Sequence, residues 1–253
     1  MIGIALSGGG ARGIAHLGVI KALDEHGIHP EIVSGTSAGA IVGGFYCTGY
    51  SPDEIFSIII KTKLLSIFKP AFSWRGLLSM DKLANILKDH LSTTFEGLSK
   101  PLKIAATELE QGETYYFDSG ELINPILASS CLPVLFNPIE IKGRRFIDGG
   151  ILNNLPVEGL IGHANPIIAS SCNPIGVKKE INSFKDVMER SAILAINGNT
   201  STSRAMAHIF IEPIELIHYS GFDLSKATDI FDAGYQFTRQ NIAIFEHQLN
   251  ASL

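Results

Sequence analysis

Ile32-Val33-Ser34-Gly35-Thr36-Ser37-Ala38-Gly39-Ala40-Ile41-Val42-Gly43-Gly44-Phe45 is the stretch on which the reading of this chain turns. A short apolar run gives way to a five-residue turn, and the apolar residues after it have the make-up of a buried helix. Gly35-Thr36-Ser37-Ala38-Gly39 therefore fits G-x-S-x-G in a strand–turn–helix setting. A serine on such a turn has a strained backbone and a presented hydroxyl. Side chains two residues to either side would collide with the strand and the helix, so Gly35 and Gly39 are needed there. The helix that starts at the serine also directs its positive end at any negative charge developing nearby. In a chain with 25 glycines the pentapeptide can also arise by chance, so Ser37 is a candidate nucleophile that other segments must support.

Upstream, residues 2–6 read as a short buried strand that runs into Ser7-Gly8-Gly9-Gly10-Ala11-Arg12-Gly13. Ile14, Leu17, Val19, Ile20 and Leu23 then recur at helical spacing as far as Gly27. Two readings of this strand–glycine loop–helix compete. Gly8-x-Gly10-x-x-Gly13 satisfies a dinucleotide fingerprint. Consecutive glycines also let bare backbone N–H groups converge at a helix start, which describes an oxyanion hole. A dinucleotide unit needs an acidic residue at the end of its second strand, whereas here Glu31 opens that strand and the serine turn closes it. Loops that follow neighbouring parallel strands share one sheet edge, so residues 8–13 are expected beside Ser37, where an oxyanion donor loop makes chemical sense.

The bulk composition sets outer limits. At 253 residues and 45% hydrophobic content the chain fits one large α/β domain. No apolar run reaches the roughly 18 residues of a spanning helix. The first residues lack a basic n-region and read as a strand rather than a signal peptide. A net charge of −5 without a Lys/Arg cluster argues against nucleic acid as a partner. Cys47, Cys131 and Cys172 are odd in number and widely spaced, as expected of packing thiols in a reducing, cytoplasmic setting rather than of metal ligands.

Further along, a helix from Ser37 to about Tyr46 is followed by Ser51-x-x-Glu54, a capping box with Pro52 at the first helical position. The helix it opens leads into an apolar and aromatic stretch with interspersed lysines. Residues 55–78 read either as core helix plus loop, or as a flap or peripheral membrane-contact surface. Residues 81–91 form an amphipathic helix, 103–107 and 113–117 are strands around a turn, and 121–129 is a helix. Residues 139–147 make a hairpin around Lys142-Gly143, 166–171 is a strand, and 192–208 and 227–249 are helices. Alternating strands and helices in the first half predict α/β with a mainly parallel sheet.

A serine hydroxyl at neutral pH needs a base. The eight histidines fall mostly on helix faces, none in a turn with glycine or an acid. Asp148 differs. It ends the hairpin strand and is followed by Gly149-Gly150, which leaves its carboxylate open to close approach, with Asn153-Asn154 and Pro156 just beyond. Asp-Gly can equally be a plain hairpin turn. An aspartate whose ordinary pKa is near 3.9 becomes an adequate base when burial raises it, or when oxyanion donors carry more of the barrier.

Taken in order, Gly8-Gly9-Gly10-Ala11-Arg12-Gly13, Gly35-Thr36-Ser37-Ala38-Gly39 and Asp148-Gly149-Gly150 resemble the motifs of patatin-like phospholipases, especially the short bacterial members. Ser129-Ser130-Cys131-Leu132-Pro133 is similar to the family's Ser-x-x-x-Pro segment, and Asn153-Asn154-Leu155-Pro156 to its turn after the aspartate. The resemblance covers residues 2 to about 175 and is loose beyond. It implies a three-layer α/β/α sandwich, and a Ser37–Asp148 dyad acting on fatty-acyl esters of lipids or small esters with no metal or other cofactor. By the same resemblance Gly9, Gly10 and Ala11 supply oxyanion N–H groups within the 8–13 loop, and Arg12 steadies that loop or meets phosphate. Two other classes remain open: a regulatory or adaptor protein that keeps the fold, and an ordinary hydrolase triad using His163, His208 or His218.

Overall fold

The computed structural model describes residues 1–62, 80–133, 135–177 and 181–252. In chain order these form β1 (Gly3–Leu6), α1 (Ala15–Glu25), β2 (Ile32–Thr36), α2 (Ala38–Thr48), α3 (Pro52–Thr62) and α4 (Asp81–His90). There follow β3 (Leu102–Glu108), β4 (Glu113–Phe117), α5 (Ile123–Ser129), β5 (Ile139–Ile141), β6 (Arg144–Asp148), β7 (Ile167–Ser170), α6 (Phe184–Met206), β8 (Ile209–Ile211) and α7 (Ala227–Ser252). Among these residues no helix is long and apolar enough to cross a membrane.

The sheet is mixed and mainly parallel. β3, β2, β1, β7 and β8 pair side by side in parallel, while β4 and the β5–β6 hairpin are antiparallel additions at the β3 end. Side-chain alternation splits the core between its faces. Ile4, Leu6, Val33, Ile168, Ile209 and Ile211 pack into one large cluster with helices α1, α2, α3 and α7. Ala5, Ile32, Ile167 and Ala169 point the other way, against Leu155, Val157 and Leu160, with Met206 and Ala207 at the end of α6 beside them. That makes the expected α/β/α sandwich, with one layer thick and the other thin.

The register at β3 decides where the site can form. β4 pairs with Ile104 through Glu108 on one edge. The other edge is shared: β2 runs along it until Thr36 pairs with Ala105, and β6 takes over antiparallel with Asp148 opposite Ala106. The C-terminal ends of β2 and β6 therefore meet head to head.

Most predicted elements lie where expected, with two corrections. The helix predicted over 192–208 begins eight residues earlier, at Phe184, where Ser183 Oγ accepts the Asp186 N–H and Asp186 accepts the Ser183 N–H. It ends at Met206, two residues short of the predicted His208, and is followed by β8 (Ile209–Ile211), a strand that no predicted element covered. In α3, Ser51 and Glu54 form the predicted capping box, and Ile55 and Ile59 are buried in the core. The part of the flap or lipid-surface reading that falls on 63–78 lies outside the described residues.

Candidate active site

Ser37 lies between β2 and α2 with φ 53° and ψ −118°, in a region that only a constrained non-glycine residue occupies. Two glycines make the turn possible. A Cβ at Gly35 would meet the backbone of Gly39 and Ala40, and one at Gly39 would meet the carbonyls of Leu6 and Ser7. The strained peptide is held from below by Ser129 at the end of α5, whose Oγ accepts the Ser37 N–H at 2.8 Å and donates to the Ala105 carbonyl at 2.6 Å.

The Ser37 hydroxyl donates to Asp148 Oδ2 at 2.7 Å. Asp148 is 3% exposed, and its second oxygen accepts the Gly150 N–H at 2.8 Å. Thr107 Oγ1 donates to the Asp148 carbonyl, and the Asp148 N–H donates to the Cys131 carbonyl, so the residue is pinned on both sides. Burial pushes the carboxyl pKa up to about 6, against the hydrogen bonds from Ser37 and Gly150, which pull it down. A Cβ on Gly149 would run into the Ala105 carbonyl, so the chain must be glycine where it leaves β6 across the edge of β3.

The glycine loop meets this pair as its sequence position implied. A Cβ on Gly8 would stand 3.1 Å from Ser37 Cβ. The loop's amides divide into two groups. The Gly8 N–H donates to the Asn154 carbonyl, Ala11 to the Gly221 carbonyl and Arg12 to the Gly9 carbonyl. The N–H groups of Gly9 and Gly10 take no acceptor among the described residues. Gly10 has φ +58°, and a side chain there would strike the Gly221 carbonyl. Gly13 is tight against Ala38 at the start of α2, where a Cβ would come within 2.5 Å of the alanine methyl carbon. Arg12 is 4% exposed, and its Nε finds no hydrogen-bond partner.

Several supporting residues escaped the sequence reading. Asn173 Nδ2 and Cys172 Sγ both donate to the Gly8 carbonyl, at 2.5 and 3.2 Å. His16 is fully buried below the loop, where its Nε2 bonds the Ser7 carbonyl at 2.9 Å and its Nδ1 bonds Ser170 Oγ at 2.8 Å. Burial pulls the imidazole pKa down to about 4, against the bond to Ser7, so the ring is neutral. With its Nε2–H donating to the carbonyl, its Nδ1 accepts from the serine. On α6, Asn199 Oδ1 accepts the Asn154 N–H and its Nδ2 donates to the Gly150 carbonyl, tying the aspartate loop to the thin layer. The one available sequence signal was the polar face of α6. Of the histidines weighed for a triad, His208 accepts the Ile167 N–H through Nδ1, and His163 is exposed; the Ser37 hydroxyl bonds a carboxylate, not an imidazole.

Comparison with known proteins adds a lineage. The patatin-like phospholipase family model matches residues 4–161. An uncharacterized NTE family protein of Mycobacterium tuberculosis (strain ATCC 25618 / H37Rv) is 35% identical over 176 residues, which are 68% of this chain and 49% of that protein. Lysophospholipase NTE1 of Saccharomyces cerevisiae is 27% identical over 274 residues, covering 94% of this chain and 16% of its own length. The chain thus spans about half the length of the mycobacterial relative and a much smaller share of the yeast one. VipD from Legionella pneumophila has a similar fold, with a TM-score of 0.55 at 16% identity over 99% of this chain and 66% of that one. With the family model spanning the glycine loop, the serine turn and the Asp148 strand, the chain belongs to the patatin-like phospholipase family.

Proposed function

We propose that this chain is a serine acyl hydrolase that cleaves fatty-acyl esters of phospholipids or lysophospholipids through a Ser37–Asp148 dyad. The observation that carries the reading is the 2.7 Å hydrogen bond from the Ser37 hydroxyl to a buried carboxylate whose pKa is raised to about 6. A general base is most effective when its pKa lies near the working pH, and burial moves Asp148 in that direction. Asp148 takes the Ser37 proton as Oγ attacks the ester carbonyl carbon. The tetrahedral oxyanion is met by the N–H groups of Gly9 and Gly10, the two in the loop that take no acceptor among the described residues. Each such donor contributes about 3–4 kcal/mol to the transition state. The protonated Asp148 returns its proton to the leaving alcohol oxygen, which leaves an acyl ester on Ser37. Asp148 then deprotonates a water that attacks this ester, and Ser37 leaves with the proton as the fatty acid is released.

The lipid part of the proposal is supported by family membership and by the name of the yeast relative, a lysophospholipase. Fatty-acid release from lysophosphatidylcholine tests it. The wild type should turn over, while Ser37→Ala and Asp148→Asn, each checked for native circular dichroism, should lose at least about a thousandfold in kcat. A folded Ser37→Ala variant with unchanged hydrolysis would refute the nucleophile. A folded wild type inert toward every acyl ester offered would favour a binding or regulatory protein that retains the fold.

A further inference from the structure

The peptide between Gly8 and Gly9 is gripped from one side by more donors than one carbonyl needs. Its oxygen accepts Asn173 Nδ2 at 2.5 Å and Cys172 Sγ at 3.2 Å, which fills both lone pairs, and Asn154 Nδ2 stands at 3.5 Å. Sheet register delivers the two close donors. β7 runs beside β1 until Ser170 lies opposite Leu6, and past the strand ends the Cys172 N–H still donates to Ser7 Oγ. Cys172 and Asn173 thereby reach the glycine loop, where a Cβ on Gly9 would collide with Cys172 Sγ. Pro174 disfavours helical backbone at Asn173, which keeps this segment from turning away.

Stability alone does not account for Asn173. The residue is 3% exposed, and its Oδ1 accepts no hydrogen bond among the described residues. A bare buried acceptor is a cost, so the amide is retained for what its Nδ2 does. What it does is orient. A trans peptide is planar, and its N–H points opposite to its C=O. Holding the Gly8 carbonyl toward the segment after β7 therefore holds the Gly9 N–H in the other direction, and that N–H takes no acceptor among the described residues. The Gly10 N–H is set by the loop itself, because the carbonyl of its peptide, on Gly9, accepts the Arg12 N–H at 3.2 Å. We propose that Asn173 and Cys172 are positioning residues that clamp the plane of the Gly8–Gly9 peptide and so aim one of the two oxyanion donors. Both lie beyond residues 4–161, the part of the chain that the family model matches. The clamp rests on the acyl-hydrolase reading above.

An inhibitor that forms an oxyanion separates aiming from simple support. Ser37 Oγ adds to the carbonyl carbon of a long-chain alkyl trifluoromethyl ketone, the carbonyl electron pair becomes the oxyanion, and the Ser37 proton passes to Asp148. The matching trifluoromethyl alcohol has the same chain and forms no oxyanion. Asn173→Ala should lower kcat toward p-nitrophenyl butyrate about ten- to a hundredfold with little change in KM. It should weaken inhibition by the ketone by a similar factor and leave inhibition by the alcohol as in the wild type. Equal losses for ketone and alcohol, or a kcat equal to that of the wild type, would overturn the clamp while the hydrolase stands. Should Asn173→Ala not fold, the same comparison passes to Cys172→Ala and Cys172→Ser. The alanine should lose severalfold against the ketone, and the serine, which keeps a donor, should recover most of that loss; indistinguishable variants would overturn the clamp. A folded wild type that hydrolyses no ester and binds the ketone no better than the alcohol would overturn the acyl-hydrolase reading, and the clamp with it.

Discussion

Asp148 stands one residue further along the edge of β3 than Thr36 does: Thr36 pairs with Ala105 and Asp148 with Ala106. Since Ser37 follows Thr36, the hydroxyl and the carboxylate are brought together by sheet register over 111 residues of sequence. Ser129 locks the same junction, because it bonds both the Ser37 amide and the Ala105 carbonyl. On the dyad account, Ser129→Ala should lower kcat toward lysophosphatidylcholine about ten- to a hundredfold with little change in KM. It should cost about 1–2 kcal/mol of stability, since a buried amide and a buried carbonyl each lose their partner. Steady-state kinetics with parallel urea melts would check both. A large rise in KM at unchanged kcat would show that Ser129 serves binding instead.

The acid limb of activity should report Asp148. If the ionised carboxylate is the base, kcat/KM for a neutral ester rises with pH through an apparent pKa near 6 and levels off above it, following the value to which burial raises this group. An acid limb near 4 would mean that the working carboxylate is not the buried one.

Stability should depend on pH through two buried groups of opposite sign. Asp148 is raised from 3.8 to about 6, so the folded state holds its proton more tightly, and the stability it contributes is present below pH 3.8 and lost as pH rises through 6. His16 is lowered from 6.5 to about 4, so its contribution is present above pH 6.5 and lost as pH falls through 4. Each shift corresponds to about 3 kcal/mol, and over most of the range between pH 4 and 6 they oppose each other. Asp148→Asn should therefore expose a steep loss of stability on acidification that the wild type masks, and should be the more stable protein at pH 8. Chemical denaturation at pH 4.5, 6 and 8 measures this; parallel curves for the two proteins would contradict it.

Two glycine-to-alanine changes should part in sign. At Gly39 the new methyl would meet the Leu6 and Ser7 carbonyls, and neither strand end can retreat, so Gly39→Ala should cost about 3 kcal/mol or more or prevent folding. At Gly198, inside α6, nothing lies within 4 Å of a new Cβ, and Gly198→Ala should add about 0.5–1 kcal/mol by helix propensity. Thermal melts of the two variants against wild type provide the comparison.

Much of the fold was legible because its signals are local. The 35–39 turn, the glycine loop, the Ser51–Glu54 cap and the Lys142-Gly143 hairpin each declare themselves within a few residues. β8 was not legible: Ile209-Phe210-Ile211 is only three residues long with no turn residue before it, so only pairing with β7 makes it a strand. The start of α6 carried a signal, Ser183 with Asp186 three residues on, but with aspartate in place of the glutamate or glutamine of a standard capping box. In the site, Ser37 and Asp148 stood out through their glycines. His16, Asn173 and Asn199 did not, since each acts through contacts that only the fold makes: Asn173 and Asn199 bond backbone groups far away in sequence, and His16 bridges the Ser7 carbonyl to the Ser170 hydroxyl. The division of labour in the 8–13 loop was also hidden, because which amides are free depends on the carbonyls of Asn154 and Gly221.

The central claim is tested most directly by labelling with a fluorophosphonate and locating the adduct by mass spectrometry, on wild type and on Asp148→Asn. The dyad account predicts one adduct, on Ser37, formed far more slowly in the variant although the fold is intact. No adduct on a folded wild type, or equally fast labelling of Ser37 when Asp148 is replaced, would contradict it.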